Sequence, residues 1–152
     1  MTKKTQALLV LAIATAVAAL SATSHAMTRT HGSSAERPAP GEFGLGPRTS
    51  AEGRYVATLA TPQPLRPRKL LTVRVTLRDA EGRAVDGAQI SVDGGMPQHG
   101  HGLPTRPRVT GNPGDGVYEI EGLRFNMGGW WELRLAIAGP LGADTVTFHL
   151  DI

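Results

Sequence analysis

Hydrophobic and polar residues alternate along the chain from Tyr55 to the C-terminus. In residues 71–78, Leu and Val at odd positions alternate with Thr and Arg at even positions. Successive strand side chains point to opposite faces of a sheet, so this alternation predicts a strand with one buried face. The same alternation occurs in residues 130–137. Trp131 is expected in the core there, and Trp130, facing the other way, is expected to be partly exposed. The later inward rows are Ala88, Ile90 and Val92; Trp131, Leu133, Leu135 and Ile137; and Val146, Phe148, Leu150 and Ile152.

Turn residues separate these rows, and no row has helical spacing. Residues 112–116, for example, are rich in Gly, Pro, Asn and Asp, which favour turns. With a first strand over residues 55–59 and a short one over residues 107–110, the pattern gives about seven strands. This number and spacing predict an all-β fold, an immunoglobulin-like antiparallel β-sandwich over residues 53–152.

The N-terminal region has the features of a secretory signal peptide over residues 1–26. Two lysines precede an apolar run over residues 7–20, and residues 24–26 have the small-x-small pattern of a cleavage site. The run of 14 residues is shorter than the roughly 20 that a spanning helix needs, although an uncleaved anchor is the alternative. Residues 27–52 are poor in apolar residues and are expected to form a flexible leader. We therefore expect a periplasmic or otherwise extracytoplasmic protein whose sandwich domain spans residues 53–152.

Charge and motifs argue against several functions. Loss of the two signal-peptide lysines would lower Lys+Arg from 16 to 14 against 13 Asp+Glu, a net charge of +1. A nearly neutral chain lacks the electrostatic footprint of nucleic-acid binding, and Arg66-Pro67-Arg68-Lys69 is interpreted as a solvated edge. The chain has no nucleophile elbow, zinc-protease motif or phosphate-binding loop, so we predict no catalytic residue and no enzyme. It has no Cys, so any metal would be bound by His, Met, Asp or Glu.

Two segments that contain Met or His form the candidate metal site. Met96 precedes His99 and His101 in a segment rich in Gly and Pro, and Met127 precedes both tryptophans. Imidazole suits copper, and added thioether ligands favour Cu(I). His99 and His101 are two residues apart, so in an extended segment both rings point to one side. We therefore predict copper bound by Met96, His99, His101 and Met127; the alternative is that the Met side chains pack in the core and the His side chains are surface residues.

Several short motifs occur together between residues 73 and 130. They are Val73-Arg74-Val75, Asp79-Ala80-Glu81-Gly82, Val85-Asp86-Gly87-Ala88, Met96-Pro97 with His101-Gly102, Gly116-Val117-Tyr118 and Phe125-Asn126-Met127-Gly128-Gly129-Trp130. On these motifs residues 55–152 resemble the YtkA-like/FixH group of exported β-sandwich domains, distantly similar to the copper-resistance protein CopC. The resemblance implies an immunoglobulin-like sandwich outside the cytoplasm and a role in copper handling or cytochrome oxidase assembly.

The chain departs from this group in two respects. Proteins of the FixH type keep a membrane anchor, whereas the apolar run here has the form of a cleavable signal. The copper(II) site of CopC-type proteins uses a His at the mature N-terminus, where cleavage would here expose Met27. That site is therefore not carried over to this chain.

Two classes of function follow. The first is an extracytoplasmic module that binds or delivers copper, with an envelope protein of copper handling or oxidase assembly as its partner. The second is a non-metal periplasmic interaction domain that recognises a protein or ligand through residues 93–107. His149, on the outward face of the last strand, and His31, in the leader, are not expected to be ligands. No nucleic-acid partner is expected, and membrane attachment would require an uncleaved N-terminal segment.

Overall fold

A computed structural model describes residues 36–152, which form two antiparallel β-sheets packed as a sandwich. The five-stranded sheet has the order β1-β2-β3-β7-β6, and the four-stranded sheet has the order β5-β4-β8-β9. The predicted all-β class and β-sandwich are confirmed. The strands are β1 Arg48–Thr49, β2 Val56–Ala60, β3 Leu71–Arg78, β4 Gln89–Met96, β5 His101–Gly102, β6 Arg108–Gly114, β7 Val117–Leu123, β8 Trp130–Gly139 and β9 Gly142–Asp151, preceded by a 3-10 helix Pro40–Glu42.

The core consists of the inward rows of both sheets, as the alternation predicts. Every predicted inward residue of β3, β8 and β9 is buried, while Ala88, Val92 and Ile152 are partly buried against the same core. Phe125, in the connection from β7 to β8, packs edge-to-face on Trp131 with ring centroids 5.2 Å apart. Burial of apolar surface, which contributes about 25 cal/mol per Å², is the main force that holds the two sheets together.

The structure contains nine strands within the described residues, whereas the sequence pattern predicts about seven. The two additional strands, β1 and β5, have two residues each, which is too short to produce an alternating pattern. The other seven correspond to the predicted ones, although β6 extends to Gly114.

Trp130 is buried, with 2 % of its surface exposed, so the prediction of partial exposure is wrong. Its orientation was correctly predicted, because it lies outside the main core cluster and contacts His149 of β9 with ring centroids 6.4 Å apart. Phe43 lies 6.2 Å from the same His149 ring. The segment before β1 therefore covers this outer face, and alternation along a strand carries no information about such a cover.

That covering segment belongs to the expected leader, and the structure differs from the expectation there. Gly44 N–H donates to the His149 carbonyl (2.9 Å), and Ala51 N–H donates to the Thr145 carbonyl (2.9 Å), so this part of the chain follows the edge of β9. Arg37 adds a salt bridge to Asp151 at 3.0 Å. Backbone hydrogen bonds along an open strand edge offset the ordering entropy of a segment with few apolar residues.

The predicted signal peptide, and the leader up to residue 35, lie outside the described residues. Among residues 36–152, no helix has the length and apolar character needed to cross a bilayer.

Candidate functional site

The segment with both candidate imidazoles forms a tight hairpin. Met96 ends β4, and its carbonyl accepts hydrogen bonds from the backbone N–H groups of His99 (3.0 Å) and Gly100 (2.9 Å). Gly100 has a φ of 65°, a left-handed conformation that Gly adopts without strain. His101 then begins β5 and pairs in register with Met96. The hairpin therefore places His101 opposite Met96, with His99 in the turn between them.

The imidazoles of His99 and His101 lie side by side, although His99 lies in the turn and not in the extended segment that the spacing argument requires. Their ring centroids are 6.2 Å apart and their planes differ by 8°. Both residues are exposed to solvent. This arrangement presents two neighbouring nitrogen ligands on an open surface.

Met96 is buried at the base of this hairpin. Only 2 % of its surface is exposed, and it belongs to the core cluster. A Cβ atom built on Gly129 would lie 3.0 Å from the Met96 methyl, so the methyl packs directly on the backbone of that glycine. Directly opposite residues of an antiparallel pair have Cβ atoms about 4.5–5.5 Å apart, which places Met96 beside His101. Met96 is thus a core residue at the margin of the candidate site.

Met127 lies in the connection between β7 and β8 and is 41 % exposed. Its carbonyl accepts a hydrogen bond of 3.1 Å from the Trp131 indole N–H, so its backbone is fixed while its side chain is open to solvent. Gly129, two residues later, contacts Met96. The structure therefore places His101 opposite Met96, and Met96 against Gly129 of the connection that contains Met127.

Glu132 is a residue near the site that the sequence gives no reason to choose. It pairs in register with Gly95 of β4, and with His101 and Arg134 it lines a shallow cavity of about 300 Å³ beside the hairpin. Only the pairing of β4 with β8 brings it there, and no local motif encodes that pairing. Within residues 36–152, no group of three or more His, Asp or Glu side chains is arranged to bind a metal ion.

His149 is less exposed than its outward position suggests. Its Nδ1 lies 3.9 Å from an oxygen of Glu42, and its Nε2 lies 3.7 Å from an oxygen of Glu132. Together with the ring contacts of Trp130 and Phe43, these neighbours enclose the imidazole on the outer face of the four-stranded sheet. His149 therefore packs between the N-terminal segment and Glu132.

The perturbed carboxylates lie at the opposite end of the sandwich. Burial acts to raise the pKa of Asp144, but hydrogen bonds from Ser50 and from nearby backbone N–H groups outweigh it and lower the pKa from 3.8 to about 2. Burial likewise acts to raise the pKa of Asp79, but its hydrogen bonds and ion pair with Arg83 leave that pKa below the ordinary 3.8. Both groups hold turns in place and are structural.

Comparison with protein families matches residues 49–136, more than half of the chain, to the YtkA-like model. A comparison with curated proteins finds no match. Among solved structures, the chain is similar to one described as ZirS C-terminal Domain, with 12 % identity, a TM-score of 0.39 and coverage of 97 % of each chain.

Proposed function

Because the chain belongs to the YtkA-like family, we propose that it is an extracytoplasmic module that binds or delivers copper as Cu(I) through its hairpin. The observation that carries the proposal is the parallel pair of exposed imidazoles of His99 and His101. Met127 is the thioether best exposed to join them, and Met96 is the thioether nearest to His101 in register. An envelope protein of copper handling or oxidase assembly is the proposed partner.

The chemistry of these side chains selects the metal. Imidazole binds copper in both oxidation states, and thioether sulfur shifts the preference towards Cu(I), while hard cations prefer carboxylate oxygen. The hairpin places both imidazoles on the surface, where a partner protein can reach a bound ion and exchange it. An exposed site with few ligands favours transfer over storage, because a partner can replace ligands one at a time.

Titration of the reduced, anaerobic protein with Cu(I) in competition with a chromophoric chelator tests the proposal. Replacement of both His99 and His101 by Ala should weaken Cu(I) binding by tenfold or more and leave the far-UV spectrum unchanged. Gln98→Ala, in the same turn, is the matched control and should bind like the wild type. Unchanged affinity in the double variant would contradict the proposal.

The second candidate is a non-metal interaction domain that recognises its partner through residues 93–107. A groove of about 760 Å³, lined by residues of β4 and by residues 103–109, favours it. Gly94 O accepts from Leu103 N–H (3.0 Å), so the backbone groups of Ile90 and Val92, which share its side of the strand, also point away from β8. This open strand edge is the type of surface to which an extended peptide adds as a further strand.

A further inference from the structure

The five-stranded sheet has a concentration of cations at one end. Within residues 36–152, six of the cations that take part in no salt bridge lie where β3 and β6 begin and where β7 ends. They are Arg66, Arg68, Lys69, Arg106, Arg108 and Arg124. In contrast, the cations that form salt bridges lie elsewhere: they are Arg37, Arg74, Arg78, Arg83 and Arg134. Glu121 lies opposite Arg108 in the sheet but forms no salt bridge with it.

The fold brings these cations together from three separate segments of the sequence. Leu71 of β3 pairs with Leu123 of β7, and Arg108 of β6 pairs with Glu121 of β7. The backbone N–H of Arg68 donates to the carbonyl of Phe125 at 2.7 Å, which fixes the β2–β3 loop to the β7–β8 connection. Neighbouring strands are about 4.8 Å apart, so the three segments lie within about 10 Å of one another. Their charges therefore act together over about one Debye length.

An exposed leucine lies within this group of charges. Leu70 directly follows Lys69 and is 67 % exposed, more than any other large hydrophobic residue of residues 36–152. Three prolines constrain the loop before it, and Arg68 has a φ of 66°, an uncommon conformation for a residue other than Gly. The backbone of the loop is thus restricted, and the loop exposes an apolar side chain between cations.

We propose that this basic loop end, formed by the six cations and Leu70, binds the surface of an anionic phospholipid bilayer. The cations would contact lipid phosphates, and Leu70 would enter the boundary between headgroups and acyl chains. An apolar tip surrounded by cations matches a surface with phosphate outside and hydrocarbon beneath. The proposal goes beyond copper binding and does not depend on it.

Co-sedimentation of metal-free residues 27–152, which contain both sheets and the whole core, tests the proposal. The protein should bind vesicles of phosphatidylcholine that contain about a third phosphatidylglycerol, and it should not bind pure phosphatidylcholine. High salt should release it. Arg66→Ala with Lys69→Ala should weaken binding about tenfold or more, and Leu70→Ser should weaken it several-fold.

Matched controls come from the opposite end of the sandwich. Leu141, 43 % exposed, and Arg54, which donates to the carbonyl of Ala143 (2.9 Å) and forms no salt bridge to residues 36–152, have the same chemistry away from the basic loop end. Leu141→Ser and Arg54→Ala should bind vesicles like the wild type. Equal binding by all variants would overturn the proposal. Binding to immobilised polyglutamate without binding to vesicles would also overturn it and would assign the surface to an acidic protein.

Discussion

Replacement of Met96 by Ala separates the two roles open to this residue, core packing and metal binding. Burial of a whole Met side chain contributes about 1.5–3 kcal/mol, and truncation in a core that cannot collapse costs about 2–5 kcal/mol. The wall beside the Met96 methyl is rigid, because Gly129 has no side chain and exchanges two backbone hydrogen bonds with Ile152 (2.9 and 3.0 Å). We therefore expect Met96→Ala to lower the free energy of unfolding by about 3–4 kcal/mol.

Met127 provides the comparison, because it lies two residues before Gly129, which Met96 contacts. Its side chain is 41 % exposed, so Met127→Ala should change the free energy of unfolding by about 0.5 kcal/mol or less. Met96→Leu keeps the volume and removes the sulfur, and it should cost less than about 1.5 kcal/mol. Urea unfolding followed by fluorescence measures all three, because both tryptophans are buried in the folded protein.

The result that would refute this reasoning is a loss of less than about 1 kcal/mol in Met96→Ala, which would mean that the core does not depend on the side chain. Cu(I) affinity of the stable Met96→Leu variant then decides the second role. A weaker affinity would identify the Met96 sulfur as a ligand. An affinity equal to that of the wild type would restrict the thioether contribution to Met127.

Two further predictions concern the end of the sandwich opposite the hairpin. Gly116→Ala should destabilise the protein by more than about 3 kcal/mol, because a left-handed φ of 65° costs about 1–2 kcal/mol and the added Cβ would overlap a carbonyl oxygen of β3. Gly82→Ala is the control: with a φ of 82° and open space around it, it should show the backbone cost alone. Asp144 has a folded pKa of about 2, below its ordinary 3.8, so its stabilisation is complete above about pH 4 and is lost as the pH falls towards 2. The urea midpoint of Asp144→Asn should therefore fall less than that of the wild type over this range, and equal slopes would contradict the assignment.

The sequence was sufficient to predict strands wherever one face of a sheet is buried and the other is wet. The clearest case is β3, whose predicted and observed limits are both Leu71 and Arg78. β5 was missed because His101 and Gly102 are too few to alternate, and they form a strand only because the turn at Gly100 folds them back on β4. Such short edge strands depend on turn geometry and pairing, which the local pattern does not contain.

Trp130 shows that the pattern along a single strand predicts the direction of a side chain but not its exposure. Alternation places its indole outside the main core, which is correct, but exposure depends on what covers that face. Phe43 and the backbone of the segment that precedes β1 supply the cover through His149. Because that segment is polar and rich in Gly and Pro, its composition predicts flexibility, and only the open edge of β9 explains why it is ordered.

In the candidate site, the placement of some residues depends on the local sequence, and that of others depends on long-range contacts. A spacing of two residues predicts neighbouring rings of His99 and His101 only in an extended segment, whereas their nearly parallel rings here depend on the turn at Gly100. The burial of Met96 depends on a contact between the end of β4 and Gly129, about 30 residues later in sequence, whereas the Met127 side chain in the same connection as Gly129 is exposed. Residue type alone suggests four equivalent ligands. The packing makes them unequal, with two accessible imidazoles, one accessible thioether and one thioether that can reach a metal only from within the core.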